Sequence, residues 1–277
     1  MKNKAEKNNS SIKTNKKNKK TSYYQPPKEK HTTEFLSGFH SVHEALKAGR
    51  RNFYRIIVSE QRADTQILQI TTLAQKYKIA PERISSKDID QMTDNDRHQG
   101  FVALSSPFPV YTANELIQNI DKIRKSELIL VLENIEDPHN LGALIRTAVC
   151  AGVNFILVPG NRAAKPSPTV SSVSAGAMEH AQIGIMTNTA SCLKLLKDKG
   201  FWVFGLDAGA QQDLFKSDLK GSVALVIGGE NKGIRPLVKK ECDFLVSLPN
   251  LGPINSLNAS VAGGIAMYEA LRQRHGK

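Results

Sequence analysis

The 277-residue sequence predicts an α/β protein with two domains, the second containing a parallel sheet with helices on both faces. Segments with strand and helix patterns alternate along the chain, which is the order of an α/β fold. The apolar strands of the second domain are continuous rather than alternating, as expected for strands that are buried on both faces. A chain of this length also has enough residues to bury two cores.

The first thirty residues form a basic tail. They contain ten lysines and only two acidic residues, Glu6 and Glu29, so they supply +8 of the net charge of +12. We expect residues 1–30 to be disordered, because a segment so poor in apolar residues cannot offset the entropy of folding. Such a tail attracts polyanions through counterion release without reading their sequence. The alternative is a solubilising tail that has no partner.

The first folded module is predicted over residues 34–105. In chain order it has a helix near 41–48, a strand at 54–58, a helix near 64–78, a short strand near Ile84, a helix near 87–93 and a strand at 100–104. This succession indicates a small α/β domain. Ser105–Pro109 breaks the pattern, and a capped helix over 112–123 follows, so residues 106–126 are interpreted as a linker and helix.

The second domain is predicted over residues 127–277. Its strands are expected at 128–132, 153–158, 201–206, 222–227 and 243–248. A helix over 141–149 follows the first of them, with Pro138 and Asn140 suited to the preceding turn and cap. The final helix is expected from Ser256 to Gln273, with Ser256 as its N-cap. A catalytic role for Ser256 would need a base, and no histidine lies nearby in the sequence.

Several classes of protein are disfavoured by motifs that the sequence lacks. There is no apolar run near the roughly 18 residues of a membrane span and no secretory signal, so a cytoplasmic protein is expected. The cysteines Cys150, Cys192 and Cys242 are scattered, which predicts neither zinc site nor disulfide, and Cys150 is expected in the core. Phosphate-loop, dinucleotide, metalloprotease and serine-hydrolase motifs are absent. His40 and His43 have the wrong order and spacing for a metal motif, so no metal is predicted.

Three polar islands lie where a predicted strand ends and a helix begins. They are Asp137–Arg146, Gly228–Gly233 and Leu248–Ser260. At this edge of an open α/β sheet, backbone N–H groups and helix N-termini are available to bind small ligands. The islands therefore predict a single binding site, and they are the main reason to expect an enzyme.

The residue types within the islands suggest separate tasks. Arg146 offers a planar fork of donors for a phosphate or a developing oxyanion, or alternatively it pairs with Glu133 or Glu136 as a structural residue. The glycines at 228–229 permit a tight turn and the close approach of backbone to a flat ligand. Glu230, an acid at a strand end, is suited to bind hydroxyls or to orient a neighbouring cation.

Together the islands resemble the three motifs of the SPOUT superfamily, specifically the SpoU or TrmH branch, whose members methylate ribose 2′-hydroxyls of RNA. The resemblance spans about 127–274. The first module is similar too, because Phe35–Leu46 and His98–Ala103 resemble the RNA-binding domain of the ribosomal RNA members, which is L30e-like in fold. The resemblance implies S-adenosyl-L-methionine as cofactor, a trefoil knot in the second domain, and a homodimer formed through that domain.

The resemblance also implies a role for each matching residue. Asn140 and Arg146 are implied to act at the ribose and phosphate, while Glu230, Ser256 and Asn258 shape the reaction pocket. The residues implied to hold the cofactor are Gly228, Gly229, Glu230, Ile234, Leu248 and Leu257. The chain departs from the usual motifs at Asn231, Lys232, Asn250 and Pro253, which predicts a differently shaped cofactor loop.

The expected reaction is 2′-O-methylation of a ribose in RNA. A guanosine of large-subunit ribosomal RNA is the first expectation, because of the first module, and a transfer RNA is the second. Since a guanidinium is a poor proton acceptor at neutral pH, Arg146 is expected to clamp phosphate and stabilise the developing alkoxide. Two alternatives are an inactive RNA-binding or ribosome-assembly protein of the same fold, and a nucleotide enzyme such as a dehydrogenase. The absence of a dinucleotide motif disfavours the dehydrogenase.

Overall fold

The computed structural model describes residues 32–93, 97–120, 127–230 and 232–275. The predicted tail, the last three residues of the predicted linker helix, and Asn231 lie outside these ranges. Within them, no helix has both the length and the apolar composition that crossing a membrane requires.

The first module contains a mixed four-stranded sheet. Its elements are β1 (Glu34–Ser37), α1 (Phe39–Ala48), β2 (Phe53–Ser59), α2 (Thr65–Gln75), β3 (Glu82–Ile84), α3 (Ser86–Met92) and β4 (Phe101–Ser105). The strand order is β1-β4-β2-β3, with β4 antiparallel to both of its neighbours and β3 parallel to β2. Every predicted element of the module is present. The sequence did not predict β1, because its four residues give too short a pattern and its pairing with β4 is a long-range contact.

The second domain contains an eight-stranded sheet in which every pair is parallel. Its elements are β5 (Tyr111–Thr112), α4 (Ala113–Gln118), β6 (Leu128–Glu133), α5 (Pro138–Cys150), β7 (Phe155–Pro159), α6 (Pro168–Val173), β8 (Ile183–Met186), α7 (Thr189–Asp198), β9 (Trp202–Leu206), β10 (Gln212–Asp213), β11 (Val223–Gly228), α8 (Pro236–Glu241), β12 (Phe244–Ser247) and α9 (Ala259–His275). Short 3₁₀ turns lie at Ala177–His180 and Leu214–Lys216. The strand order is β10-β12-β9-β11-β6-β7-β8-β5.

The continuous apolar strands are explained by two cores, one on each face of this sheet. In β6, Leu128 and Leu130 pack with α5 and α9 on one face, whereas Ile129 and Val131 pack with α4, α7 and α8 on the other. All four side chains are almost fully buried. The predicted parallel sheet with helices on both faces is therefore confirmed.

Three short strands of the second domain were not predicted. Strand β8 is only four residues long and includes Gly184, where an added Cβ would lie 2.9 Å from the side chains of both Leu116 and Leu157. Strands β5 and β10 have two residues each and are defined only by pairing with β8 and β12. Such elements depend on their neighbours rather than on a local pattern.

The structure corrects four local predictions. The N-cap of α5 is Asp137, whose side chain accepts from the His139 N–H, so Asn140 lies inside the first turn. Ser256 does not cap α9. Instead Asn258 Oδ1 accepts from the N–H groups of Ser260 and Val261, at 3.0 and 3.3 Å. A helix cap belongs to the residue whose backbone leaves the helix, and α9 begins three residues later than its polar pattern indicated. Cys150 is exposed rather than in the core.

Candidate active site

The site is built where the strand order reverses. The chain runs outward from β6 to β7 and β8, then returns to the other side, so that β11 lies directly beside β6. The carboxyl ends of β6 and β11 are neighbours there, with Glu133 opposite Gly228. Ligands of open α/β sheets bind at such reversal points, because the loops diverge and leave a crevice.

A tight glycine turn follows β11. The Gly229 N–H donates to the Glu133 carbonyl at 2.8 Å, and the Gly233 N–H donates to the Gly229 carbonyl at 2.8 Å. A Cβ on Gly229 would lie 2.0 Å from the Asn134 carbonyl oxygen, and one on Gly228 would lie 2.3 Å from the Gly233 backbone. Backbone therefore contacts backbone at both positions, and only glycine fits.

The glycine turn is one wall of a cleft of about 250 Å³. The six residues implied by the resemblance to hold the cofactor all line this cleft: Gly228, Gly229, Glu230, Ile234, Leu248 and Leu257. Ser256 and Asn250 also line it. Asn250 closes its own loop by donating to the Ile254 carbonyl and accepting from the Gly252 N–H. The structure thus brings together, around one cavity, residues that are up to 29 positions apart in the sequence.

A polar cluster adjoins the cleft. Asn140 Nδ2 donates to Glu230 Oε1 at 2.5 Å, and Asn258 Nδ2 lies 3.0 Å from both Glu230 Oε1 and Asn140 Oδ1. These side chains come from α5, from the turn after β11 and from the N-cap of α9. Each of the three predicted islands therefore contributes one member to the cluster.

Arg146 lies apart from this cluster. Arg146 lies six positions after Asn140 in the same α-helix, so the two side chains leave the helix axis about 120° apart and about 9 Å along it. Arg146 is exposed and does not line the cleft. The suggested structural pairing with Glu133 is not formed, because Glu133 is bound by Thr189 and Arg235.

Glu133 is a residue of the site that the sequence did not identify as such. Its side chain is fully buried at the end of β6. The Thr189 hydroxyl at the start of α7 donates to Glu133 Oε2 at 2.6 Å, and Arg235 from the N-cap of α8 donates to Oε1. Glu133 therefore ties three elements together directly behind the glycine turn.

Asp207 and Lys239 were also missed. Both line the cleft and form an ion pair. The hydrogen bond from Lys239 holds the pKa of Asp207 below its ordinary value, against the opposing effect of partial burial. Asp207 directly follows β9, so the rule that selected Glu230, an acid at a strand end, would also have selected Asp207. Over the described ranges, no group of three or more His, Cys, Asp or Glu residues is arranged to hold a metal ion.

Comparisons with known proteins match the chain in two parts. The family model described as SpoU rRNA Methylase matches residues 127–268, and the model described as RNA 2′-O ribose methyltransferase substrate binding matches residues 35–111. The 23S rRNA (guanosine-2′-O-)-methyltransferase of Pseudomonas aeruginosa is 37% identical, covering 87% of this chain and 97% of that protein. A Bacillus subtilis protein assigned to the TrmH family of tRNA/rRNA methyltransferases is 38% identical, covering 87% and 96%.

Solved structures share the fold. A crystal structure of an RNA 2′-O ribose methyltransferase is 26% identical, with a TM-score of 0.72, covering 88% of this chain and 90% of that one. The SpoU methyltransferase AviRb of Streptomyces viridochromogenes, solved with its cofactor AdoMet, has a TM-score of 0.73 at 20% identity, covering 88% and 92%. The second likeness concerns the fold alone.

Proposed function

The chain belongs to the SpoU rRNA methylase family, and from this we propose that it transfers a methyl group from S-adenosyl-L-methionine to a ribose 2′-hydroxyl of RNA. The proposed target is a guanosine of 23S ribosomal RNA, as named for the Pseudomonas relative. Such an enzyme works in the cytoplasm, which is the location we propose. The observation that carries the proposal is the polar cluster of Asn140, Glu230 and Asn258 beside a glycine-walled cleft.

The cleft suits the cofactor chemically. Its walls combine glycine backbone with apolar side chains such as Ile234, Leu248 and Leu257, against which a flat purine packs. The carboxylate of Glu230 at its edge attracts a sulfonium cation more strongly than the neutral thioether product. S-adenosyl-L-methionine, when bound there, supplies an electrophilic methyl group.

The polar cluster is suited to orient the ribose. The amides of Asn140 and Asn258 both donate to one oxygen of Glu230, which fixes the carboxylate and leaves its other oxygen available to a substrate hydroxyl. Positioning the hydroxyl in line with the methyl group lowers the barrier by removing orientational freedom before the reaction. Ser256, at the cleft, offers a further hydroxyl to the sugar. The ribose proton leaves to the RNA phosphate or to solvent.

Arg146 has a separate role in this proposal. A guanidinium stays protonated at neutral pH, so Arg146 serves as a clamp for phosphate and for the developing alkoxide rather than as a base. Because Arg146 is remote from the cluster of its own chain, we propose that it acts on the site of a second copy. A homodimer would bring the exposed face of α5 to the neighbouring cleft.

Exposed apolar side chains support the homodimer. Leu251 and Ile254 in the loop before α9 are 102% and 74% exposed, and Val261 and Tyr268 on the outer face of α9 are each 49% exposed. Leu251 and Ile254 belong to the loop that also carries the cleft residues Asn250 and Ser256, and Val261 precedes the cleft residue Ala262. Large exposed apolar side chains beside a site are characteristic of a protein–protein interface. The first module is proposed to bind the RNA, and the target nucleotide must be extruded from any helix to reach the cleft.

Transfer of tritium from labelled S-adenosyl-L-methionine to RNA tests the proposal. We expect label in 23S ribosomal RNA whose target guanosine is unmethylated. We expect no label in 23S ribosomal RNA whose target 2′-hydroxyl is already methylated. Transfer RNA is the second candidate, since the Bacillus relative is named for both substrates, and it is tested in a parallel reaction. Label in neither RNA would refute the proposed function.

The variant Arg146→Lys tests the clamp. Lysine keeps the charge but loses the planar fork, so methyl transfer should fall by about 10²-fold. Arg162→Lys, at another exposed position of the same domain, is the control and should keep full activity. Near-normal turnover of Arg146→Lys would refute a bidentate clamp.

A further inference from the structure

The junction between the first module and the second domain contains a fully buried ion pair. Arg51, in the turn between α1 and β2, donates through Nε and Nη2 to the two carboxylate oxygens of Glu179, at 2.8 and 2.9 Å. The side chains of both residues are 0% exposed. Arg51 Nη1 donates to Glu34 at 2.8 Å and to the Ser106 carbonyl at 3.0 Å. One guanidinium thus joins both modules and the segment that connects them.

The neighbouring Arg50 adds a second connection. It donates to the carbonyls of Glu179 and Ala181, at the end of the 3₁₀ turn that carries Glu179. Its guanidinium lies 4.9 Å from the centre of the Phe108 ring, and Phe108 belongs to a core of the second domain. Tyr111, two residues before α4, pairs with β8. The segment that follows the first module is therefore packed against the second domain.

Backbone contact completes the junction. Gly176 has a φ of +77°, and a Cβ there would lie 2.5 Å from the His40 carbonyl oxygen and 2.7 Å from Glu44 Cβ. Glu44 in turn contacts His180 Nε2 at 2.7 Å. There is no space at this point for a side chain, so even one added carbon must separate the two surfaces.

We propose that Arg51 and Glu179 are positioning residues, which hold the RNA-binding module at one fixed spacing from the catalytic cleft. The inference rests on the proposed function. A buried ion pair with satisfied hydrogen bonds favours a single geometry more than it adds stability, because its desolvation cost offsets much of its attraction. An RNA bound by the module then presents its target nucleotide to the cleft without a search. The preferred RNA therefore carries both an element that the first module binds and a target nucleotide at the matching distance from it.

A steric wedge tests the proposal in the full-length chain. Gly176→Ala adds one methyl group between the modules, and Gly200→Ala is its matched control. Gly200 has a similar φ of +83° but nothing within 4 Å of its Cβ position, so the control reproduces the backbone strain without the wedge. Amide hydrogen exchange and methyl transfer are measured for both variants.

In Gly176→Ala, amides of 106–112 and 176–181 should exchange at least ~10-fold faster, while those of β6 stay protected. The KM for 23S ribosomal RNA should rise by ~10-fold or more, with little change in kcat and in the affinity for S-adenosyl-L-methionine. Gly200→Ala should match the wild type in each respect. Wild-type KM in a Gly176→Ala protein that shows faster exchange would overturn the proposal.

Arg51→Lys provides an independent variant. Lysine keeps the positive charge but cannot bind both oxygens of Glu179. We therefore again expect a higher KM for 23S ribosomal RNA with little change in kcat. Equal losses in RNA use and cofactor affinity would instead show a merely structural role and would also overturn the proposal. A wild-type protein that methylates no RNA contradicts the proposed function, whereas an active wild type with unchanged variants contradicts only the positioning role.

Discussion

Glu230 is the residue that the cleft and the polar cluster have in common. It lines the cavity and accepts hydrogen bonds from Asn140 and Asn258, which come from the two other islands. The family role proposed for these residues therefore corresponds to a specific geometry, in which one carboxylate is oriented by two amides. Arg146 belongs to the same proposal but not to the same cluster.

The substitution Glu230→Gln tests this geometry. A glutamine has a similar shape but no charge and brings its own amide donors toward those of Asn140 and Asn258. We expect methyl transfer to fall by about 10²-fold, with a change in the free energy of unfolding within about 0.5 kcal/mol because the side chain is exposed. Tritium transfer and urea unfolding measure the two effects.

Glu136→Gln is the matched control, an exposed acid in the loop after β6. It should leave methyl transfer unchanged. Equal activity of Glu230→Gln and Glu136→Gln would show that Glu230 has no role in the reaction.

The sequence predicted which residues line the cleft better than it predicted which residues cap the helices. Glycines and acids at strand ends are recognisable because parallel strands share one edge, so all six expected cofactor residues line one cleft. Caps were misassigned, since Asn140 and Ser256 are as suitable by type as Asp137 and Asn258. The choice among them depends on the backbone path, which residue type does not determine.

The element that shapes the cleft is the turn between β11 and α8. Gly229→Ala would force a methyl group onto the Asn134 carbonyl and open this turn. The affinity for S-adenosyl-L-methionine, measured by calorimetry, should fall at least ~10-fold. A turn displaced by even a fraction of an ångström loses its van der Waals contacts with the cofactor.

Gly221→Ala, just before the opposite end of β11, is the control. A Cβ there meets nothing within 4 Å, so binding should be normal. Unchanged affinity in Gly229→Ala would mean that the cofactor binds elsewhere.

Glu133 supports the same turn from behind. Glu133→Gln removes the charge that Arg235 and Thr189 bind, leaving imperfectly paired buried groups. The free energy of unfolding should fall by about 1–3 kcal/mol, and the affinity for S-adenosyl-L-methionine should weaken along with it. Glu60→Gln, at an exposed position in the first module, should change stability by less than about 0.5 kcal/mol. Wild-type stability in Glu133→Gln would show that α7 and α8 do not need this connection.

The parallel sheet and the module that precedes it could be predicted from the sequence, whereas the way they join could not. Continuous apolar strands identify a sheet covered on both faces, and the two cores agree. The Arg51–Glu179 pair is 128 positions apart, and neither residue carries a local signal. The trefoil knot and the L30e-like description stay predictions of the resemblance. The disorder of the basic tail stays a prediction from its composition, because residues 1–31 lie outside the described ranges.

A charge on the outer face of α9 tests the proposed homodimer. Val261→Asp adds a charge to the exposed apolar face of α9, so it should convert a dimer to a monomer in sedimentation velocity. Methyl transfer should be lost because Arg146 no longer reaches a cleft, while cofactor affinity changes less than about 3-fold. Leu68→Asp, an equally apolar exposed position on α2, should remain dimeric. A monomeric and active wild type would refute the shared site.

We propose that a polar cluster and a cleft, drawn from three distant islands, together methylate a ribose of 23S ribosomal RNA. The most direct measurement is mapping of 2′-O-methyl groups on 23S ribosomal RNA after reaction with the wild-type protein and with Glu230→Gln. We expect the wild type to protect one guanosine from alkaline cleavage and Glu230→Gln to protect it much less. No newly protected ribose, or equal protection by both proteins, would contradict the proposal.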